Sequence, residues 1–527
     1  MQRVFLKESS QRIYLPKHLK PFSRKIILCK LKPNPLSSYP RSQQHSQFIN
    51  PHKNLFNLVH FEASNLFCES AANSLTCANP SKLSTFPADP VDDSALKIQN
   101  LLKAQVGKSS EEELYRSLDQ CEVLLTEDLV LNLLRRHRSD WRPAYVFFNW
   151  ACERGGTAPG FSPGSDVFSE ILDILGKMRR FEELEKVLDE MSKRKSAFSE
   201  RTYGIVLNRY ASAHRVDEAI EFFYKRKEFG LAIDLFAFQG LLLALCRYKH
   251  VEAAEFLFHN KQKEFKPDIR SRNIILNGWC VMGRLREAKR FWNDIIKSKC
   301  KPDLFTYGIF INSLTKAGKL GTAVKLFQAM WEKGCPPDVP ICNCIIDALC
   351  FKKKIPEALE IFREMNERDC QPDVATYNSL IKHLCKIRRM EKVYELLDEM
   401  EKKSCLPNAR TYNYLLKSVK KPEEVPVILE KMERSGCKKT GDTYNLILRL
   451  FMKWGDDKNV HSIWSEMERD GIGPDQRSYT VMVHGLYEKD RIEDAIHYFR
   501  EMTSKGLIPE PRTKILVNAM NIKLQER

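Results

Sequence analysis

The sequence predicts an all-α protein, a superhelical solenoid of about ten helix-turn-helix repeats of roughly 35 residues with degenerate caps at both ends. Three observations predict it. First, one phrase recurs at a fixed interval: "CKPDLFTYG" at Cys300, "CPPDVPICN" at Cys335, "CQPDVATYN" at Cys370 and "CLPNARTYN" at Cys405, each 35 residues after the last. Second, each interval holds two apolar patterns of helical period. Between Val374 and Asn408 these are Leu380, Ile381, Leu384 and Cys385, then Val393, Leu396, Leu397 and Met400. Third, core-type residues keep phase over many intervals. Met191, Met330, Met365, Met400, Met467 and Met502 hold one place, and Ala219, Ala254, Ala288, Ala323, Ala358 and Ala495 another.

The logic of the unit is that one hairpin cannot bury both of its apolar faces, so hairpins stack. In 374–408 the polar stretch "KIRRM" joins the helices, and Pro407 stops the second one. Phasing this unit along the chain gives 165–199, 200–234, 235–268, 269–303, 304–338, 339–373, 374–408, 409–440, 441–475 and 476–510. The unit 235–268 is one residue short. The unit 409–440 lacks three, with Pro422 and Pro426 where its turn and second helix begin, so a shortened hairpin is expected there. Residues 92–164 are expected to form a helical N-terminal region with one degenerate repeat and core aromatics Trp141, Phe147, Phe148 and Trp150. Residues 511–527 are expected to form a single capping helix.

The basic excess is uneven. The first 61 residues hold 11 of the 85 Lys and Arg and one acid, Glu8, and so carry +10 of the net +17. Arg3, Lys7 and Arg12 alternate with Val4, Phe5, Leu6, Ile13 and Leu15. This is the composition of an organelle transit peptide over 1–61, mitochondrial rather than chloroplast, followed by a linker over 62–91. A basic tail that binds nucleic acid is the alternative. No apolar run is long enough to span a membrane, since "GLLLALC" at Gly240 stops at Arg247. The 16 cysteines include no C-x-x-C. Cysteines one repeat apart lie farther apart than a disulfide tolerates, so they read as reduced core thiols.

No catalytic constellation emerges. "HFE" at His60 has no matching C-x-x-C for a deaminase zinc site, and "VGKSS" at Val106 lacks the upstream glycine of a phosphate loop. The chain is therefore expected to be no enzyme and to need no cofactor or metal.

The repeats resemble the pentatricopeptide repeat, on "TYNSLIKHLCK" at Thr376, "EALEIFREM" at Glu357 and "GIGPD" at Gly471. The tetratricopeptide repeat, which binds peptides, is disfavoured by the missing W-x-x-L-G pattern and the recurring Pro-Asp endings. The resemblance is to the P class, of plant organellar type. It implies a right-handed superhelix that binds single-stranded RNA, one base per repeat, in 5′ to 3′ order. Base identity is implied to follow the fifth residue of a repeat together with its last. Asn273 with Asp303, Asn343 with Asp373 and Asn445 with Asp475 then favour U. Asn378 with Asn408 takes a pyrimidine, C over U, Asn413 with Thr440 leans to a pyrimidine, and Thr480 with Glu510 suggests a purine.

Ser169 with Ser199, Gly204 with Asp234, Gln239 with Asp268 and Gly308 with Asp338 depart from the code and stay unread. The implied core is 5′-U-x-U-Y-Y-U-R-3′. At the second position Arg201, Phe236, Arg270, Phe305, Arg410 and Arg477 replace the usual Val. They can stack on bases or meet phosphate, and they can equally be solvated surface. The functional expectation is an RNA-binding protein of organellar RNA metabolism that acts by occupancy, with other RNA-processing factors as partners. The alternative is a protein-interaction scaffold, for example on the mitochondrial ribosome.

Overall fold

The computed structural model describes residues 93–105, 110–121, 123, 125–154, 162–193 and 198–525, all within one unit, Phe86–Arg527. The transit-peptide and linker segments, 1–61 and 62–91, lie outside the described residues, as do 526–527. The described residues form helices and no strand. None of these helices is long and apolar enough to cross a membrane.

The pair Val374–Lys386 and Met390–Lys402 shows why each unit folds as it does. Asp373 begins the first helix by accepting from the Thr376 N–H at 2.8 Å, satisfying one of the donors a helix start leaves open. Leu380, Ile381, Leu384 and Cys385 then fall on one buried face. The helix ends where Arg388 turns left-handed (φ 62°) and the Arg389 N–H reaches back to the Leu384 carbonyl at 3.0 Å. Gly283 and Gly318 fill that place in two other units, where the turn carries no side-chain penalty. The second helix buries Val393, Leu396, Leu397 and Met400, each contributing about 1.5–3 kcal/mol.

The first helices begin at Ser165, Glu200, Leu235, Ile269, Leu304, Val339, Val374, Ala409, Gly441 and Gln476. Each packs on its own second helix and on the first helix of the next unit, so the first helices make an unbroken row. The alanine column (Ala219, Ala254, Ala288, Ala323, Ala358, Ala495) is wholly buried. A larger side chain there would hold the two helices apart. The methionine column is equally buried and fills the less regular space beside it.

The unit at 409–440 is shortened mainly in its first helix. Ala409–Ser418 spans 10 residues against 13 in Val374–Lys386. Pro426 sits in the first turn of Glu424–Arg434, where its missing N–H has no partner to lose. Ahead of the repeats, Glu127–Arg136 and Trp141–Arg154 form a further hairpin with Phe147, Phe148 and Trp150 buried. Trp141 packs against that core half buried, with the Arg180 guanidinium over its ring at 4.1 Å. Pro511–Gln525 closes the other end, burying Val517 and Met520 against the last unit. Every cysteine among the described residues is a free thiol, and burial pushes Cys385 up to about 11.

Enlarging the alanine column tests the close helix approach. Ala358→Leu should lower the unfolding free energy by about 1–3 kcal/mol. Hydrogen exchange should show the loss of protection centred on 339–373 and its neighbours, sparing the units at the ends.

Candidate nucleic-acid interface

The last residue of each unit is also the N-cap of the next first helix, and this places it beside the fifth residue of its own unit. Asp303 Oδ1 accepts from the Thr306 N–H (2.8 Å) and from the Asn273 Nδ2 (3.0 Å), with the Thr306 hydroxyl 2.7 Å away. Asp373 Oδ1 repeats this with the Thr376 N–H (2.8 Å), the Thr376 hydroxyl (2.9 Å) and Asn343 Nδ2 (3.1 Å). Asp475 Oδ1 does so with the Ser478 N–H (2.8 Å), the Ser478 hydroxyl (2.9 Å) and Asn445 Nδ2 (3.2 Å). At Asn408 the amide oxygen takes the same role, toward the Thr411 N–H (3.1 Å), the Thr411 hydroxyl (3.2 Å) and Asn378 Nδ2 (3.4 Å).

In all four units the donors gather on one oxygen. The second carboxylate oxygen of Asp303 and Asp373 takes no hydrogen bond from the described residues, while the Asp475 carboxyl is also reached by the Arg477 N–H. In Asn408 the corresponding group is the amide nitrogen, a donor instead of an acceptor. Burial raises the Asp475 carboxyl, but hydrogen bonds from the Ser478 N–H, the Ser478 hydroxyl and the Asn445 amide outweigh it and hold the group below the usual carboxylate range. The carboxylate is thus charged and fixed in orientation at neutral pH.

The amide oxygens on the other side of the pair differ between units. Those of Asn273 and Asn445 lie 2.7 Å from the Thr306 and Ser478 hydroxyls, whose single proton they share with the Asp303 and Asp475 Oδ1. Those of Asn343, Asn378 and Asn413, in three successive repeats, are buried and meet no donor. Leaving a buried acceptor unpaired costs about 1–3 kcal/mol. Three in a row make a strip of unmet acceptors just under the first-helix face.

Two proposed pairs are not joined. In the shortened unit the Thr440 hydroxyl accepts from the Thr443 N–H (3.4 Å) and lies 3.0 Å from the Thr443 hydroxyl, with no bond to Asn413. Thr480 turns its hydroxyl back to the Gln476 carbonyl (2.8 Å) and makes no bond to Glu510. Conversely, Gln239, left unread in the sequence, is buried and donates from Nε2 to Asp268 Oδ1 at 2.8 Å and toward the Ser271 hydroxyl at 3.1 Å. Its unit is one residue short, and the extra methylene of glutamine spans the difference. Ser169 reaches Ser199 through Thr202, in steps of 2.8 and 2.7 Å. Gly204 and Gly308 leave Asp234 and Asp338 with their cap bonds alone, to the N–H groups of Ala237 and Ile341.

The second-position residues form an exposed row. Phe236 and Phe305 are 46% and 48% exposed, and Arg270 and Arg410 are exposed too. Arg201 reaches Asp166 at 3.4 Å and Arg477 reaches Asp442 at 2.9 Å, each acid being the second residue of the preceding unit. Exposed pairs of this kind are worth about 0–1 kcal/mol and are readily given up to another anion.

A row of stacked helical hairpins, five of them carrying a joined amide and capping pair, defines a helical repeat protein. The PPR repeat family pattern matches residues 267–316, 337–386, 372–421 and 439–488, and the PPR repeat pattern matches 167–196, 201–231, 305–335 and 477–507. A pentatricopeptide repeat-containing protein of Arabidopsis thaliana is 54% identical over 440 residues, covering 83% of each chain. A second, whose name includes "mitochondrial", is 37% identical over 436 residues, 81% of this chain and 74% of that one. The crystal structure of the maize pentatricopeptide repeat protein PPR10 aligns with a TM-score of 0.46 at 23% identity, over 82% of this chain and 64% of its own. The chain belongs to the pentatricopeptide repeat family.

The charge of Asp475 makes a pH test possible. Its folded value lies below the unfolded one, so its contribution is complete above the usual carboxylate value of about 4 and is lost as pH falls through the depressed folded value. Asp475→Ala should cost about 1–2 kcal/mol by chemical denaturation between about pH 5 and 8, and the gap to wild type should narrow below about pH 4.

Proposed function

We propose that the chain binds single-stranded RNA along the row of first helices, one base to a repeat, as a P-class member of the family acting in plant organelles. The observation that carries this reading is the second group on each capping residue, held beside a fixed amide. Uracil presents an N–H where cytosine presents a bare ring nitrogen. A second carboxylate oxygen (Asp303, Asp373, Asp475) matches the first, and the amide nitrogen of Asn408 matches the second. The reading therefore keeps U for the repeats of Asn273, Asn343 and Asn445, and C over U for that of Asn378.

The unjoined pairs of Asn413 with Thr440 and Thr480 with Glu510 support weaker preferences, for a pyrimidine and a purine. The core stays 5′-U-x-U-Y-Y-U-R-3′. Gln239 with Asp268 supplies one more amide-carboxylate pair, facing the base before the first U. Arg201, Phe236, Arg270, Phe305, Arg410 and Arg477 line the exposed row where rings or phosphates of the strand would lie.

The strand would be protected or held open by occupancy, and cutting, splicing or translation would fall to other RNA-processing factors. Mitochondria are the proposed site, with the chloroplast as alternative. The basic, acid-poor residues 1–61 support this, as does the word "mitochondrial" in the name of the 37%-identical relative.

The test is selection from a randomised single-stranded RNA pool by the full chain. U-x-U-Y-Y-U-R should be enriched, and Asn343→Ser with Asn445→Ser should flatten the preference at the two matching positions. Binding without any preference would reduce the protein to a non-specific RNA contact. No binding at moderate salt would favour the protein-interaction scaffold.

A further inference from the structure

Beside the shortened unit the row of first helices is notched. Ala409–Ser418 stops at 10 residues, while its neighbours Val374–Lys386 and Gly441–Trp454 run to 13 and 14. The absent turn would be about 5 Å high and 10 Å across. In its place is an open cleft of about 490 Å³. Its walls carry Lys386, Arg388, Lys417, Lys420 and Lys453, with Trp454 half buried beside them.

The helix dipole favours a cation at a first-helix C-terminus, which accounts for single basic residues such as Lys177, Arg209, Arg247 and Lys316 in the last turns of other first helices. Here five meet at one notch, none paired with an acid among the described residues, and no acid lines the cleft. All five side chains are exposed. Lys417 Nζ lies 5.7 Å from the centre of the Tyr414 ring, on its own helix. The Glu424 carboxylate, which accepts from the Lys420 backbone N–H at 3.4 Å, offsets one of the five like charges at most, and an anion with several charges would relieve the repulsion that is left. The cleft also sits on the reading row. Lys417 follows Asn413 by four residues, so the two share a face one turn apart.

We infer that this cleft is a phosphate-binding site that clamps the backbone of the bound RNA at the shortened repeat, an inference that rests on the RNA-binding reading above. The missing turn leaves this repeat a weaker base readout, since Asn413 and Thr440 are not joined, and adds a backbone contact beside it. The clamp adds affinity but no sequence preference, because phosphates are alike at every position.

The test compares the full chain with a variant carrying Lys417→Gln, Lys420→Gln and Lys453→Gln, titrated with a U-x-U-Y-Y-U-R oligonucleotide over a range of salt. A charge-matched control carries Lys289→Gln, Lys325→Gln and Lys402→Gln, all exposed on second helices. Each RNA phosphate that the variant leaves without a cation should lower the slope of log affinity against log salt by about 0.7. The cleft variant should therefore drop by about 1–2 in slope and by about tenfold or more in affinity near 0.1 M salt, with its base preference intact. The control should match wild type.

A cleft variant with wild-type slope and affinity overturns the inference while leaving RNA binding standing. If wild type itself binds no RNA, the proposed function fails and the clamp with it. A parallel titration with inorganic tripolyphosphate separates the sources of phosphate. Tripolyphosphate binding that disappears in the cleft variant, with RNA binding unchanged, would assign the cleft to a free polyphosphate and overturn the RNA clamp.

Discussion

One hydrogen-bonded side chain per repeat ties the architecture to the candidate interface. In five repeats the closing residue, Asp or Asn, caps the helix that follows it and also receives the amide from the helix before it. Because Asp303, Asp373 and Asp475 do both with the same oxygen, the cap fixes where the second oxygen can be. A stronger or weaker cap would change stability. Exchanging the free group changes only what the pair offers to a ligand. On the proposed reading, folding and recognition are thereby separated within one side chain, and a solenoid could vary its readout unit by unit while keeping its stack.

The stack supplies the register. Wholly buried alanines let second helices approach closely, and the methionines fill what remains. Any residue added or removed between two caps therefore shows at the interface. The unit 235–268 absorbs its missing residue by using glutamine, whose longer side chain still reaches Asp268. The unit 409–440 does not absorb its three. It gives up a turn of its first helix and the bond between its fifth and last residues, and it opens the basic cleft.

Much of this is legible in the sequence because stacking forces a strict period, and a strict period survives as recurring residues. The alternation of helices, the Pro-Asp endings and the asparagine series are all consequences of packing or capping that act within a few residues. Less legible were features set by side-chain reach across units. Gln239 breaks the residue pattern yet meets the same partner, and only its one-residue deficit hinted at that. Asn413 keeps the residue pattern but loses its partner, because the deletion falls in the helix that positions it. Thr480 satisfies itself on the Gln476 carbonyl, a local bond that no repeat comparison reveals. Trp141 packs against the core as its neighbours suggested, and the guanidinium that covers its outer side arrives from Arg180 in the next hairpin.

The most direct test of the account is the exchange Asp373→Asn, followed by binding of the full chain to two RNA oligonucleotides that differ only in U or C opposite the repeat 339–373. Asparagine caps a helix about as well as aspartate, so stability should change little. Its amide nitrogen replaces the free acceptor oxygen with a donor, and the preference at that single position should move from U toward C while every other position holds. An unchanged preference would contradict the claim that the free group of the capping residue reads the base. So would a uniform loss of binding to both oligonucleotides.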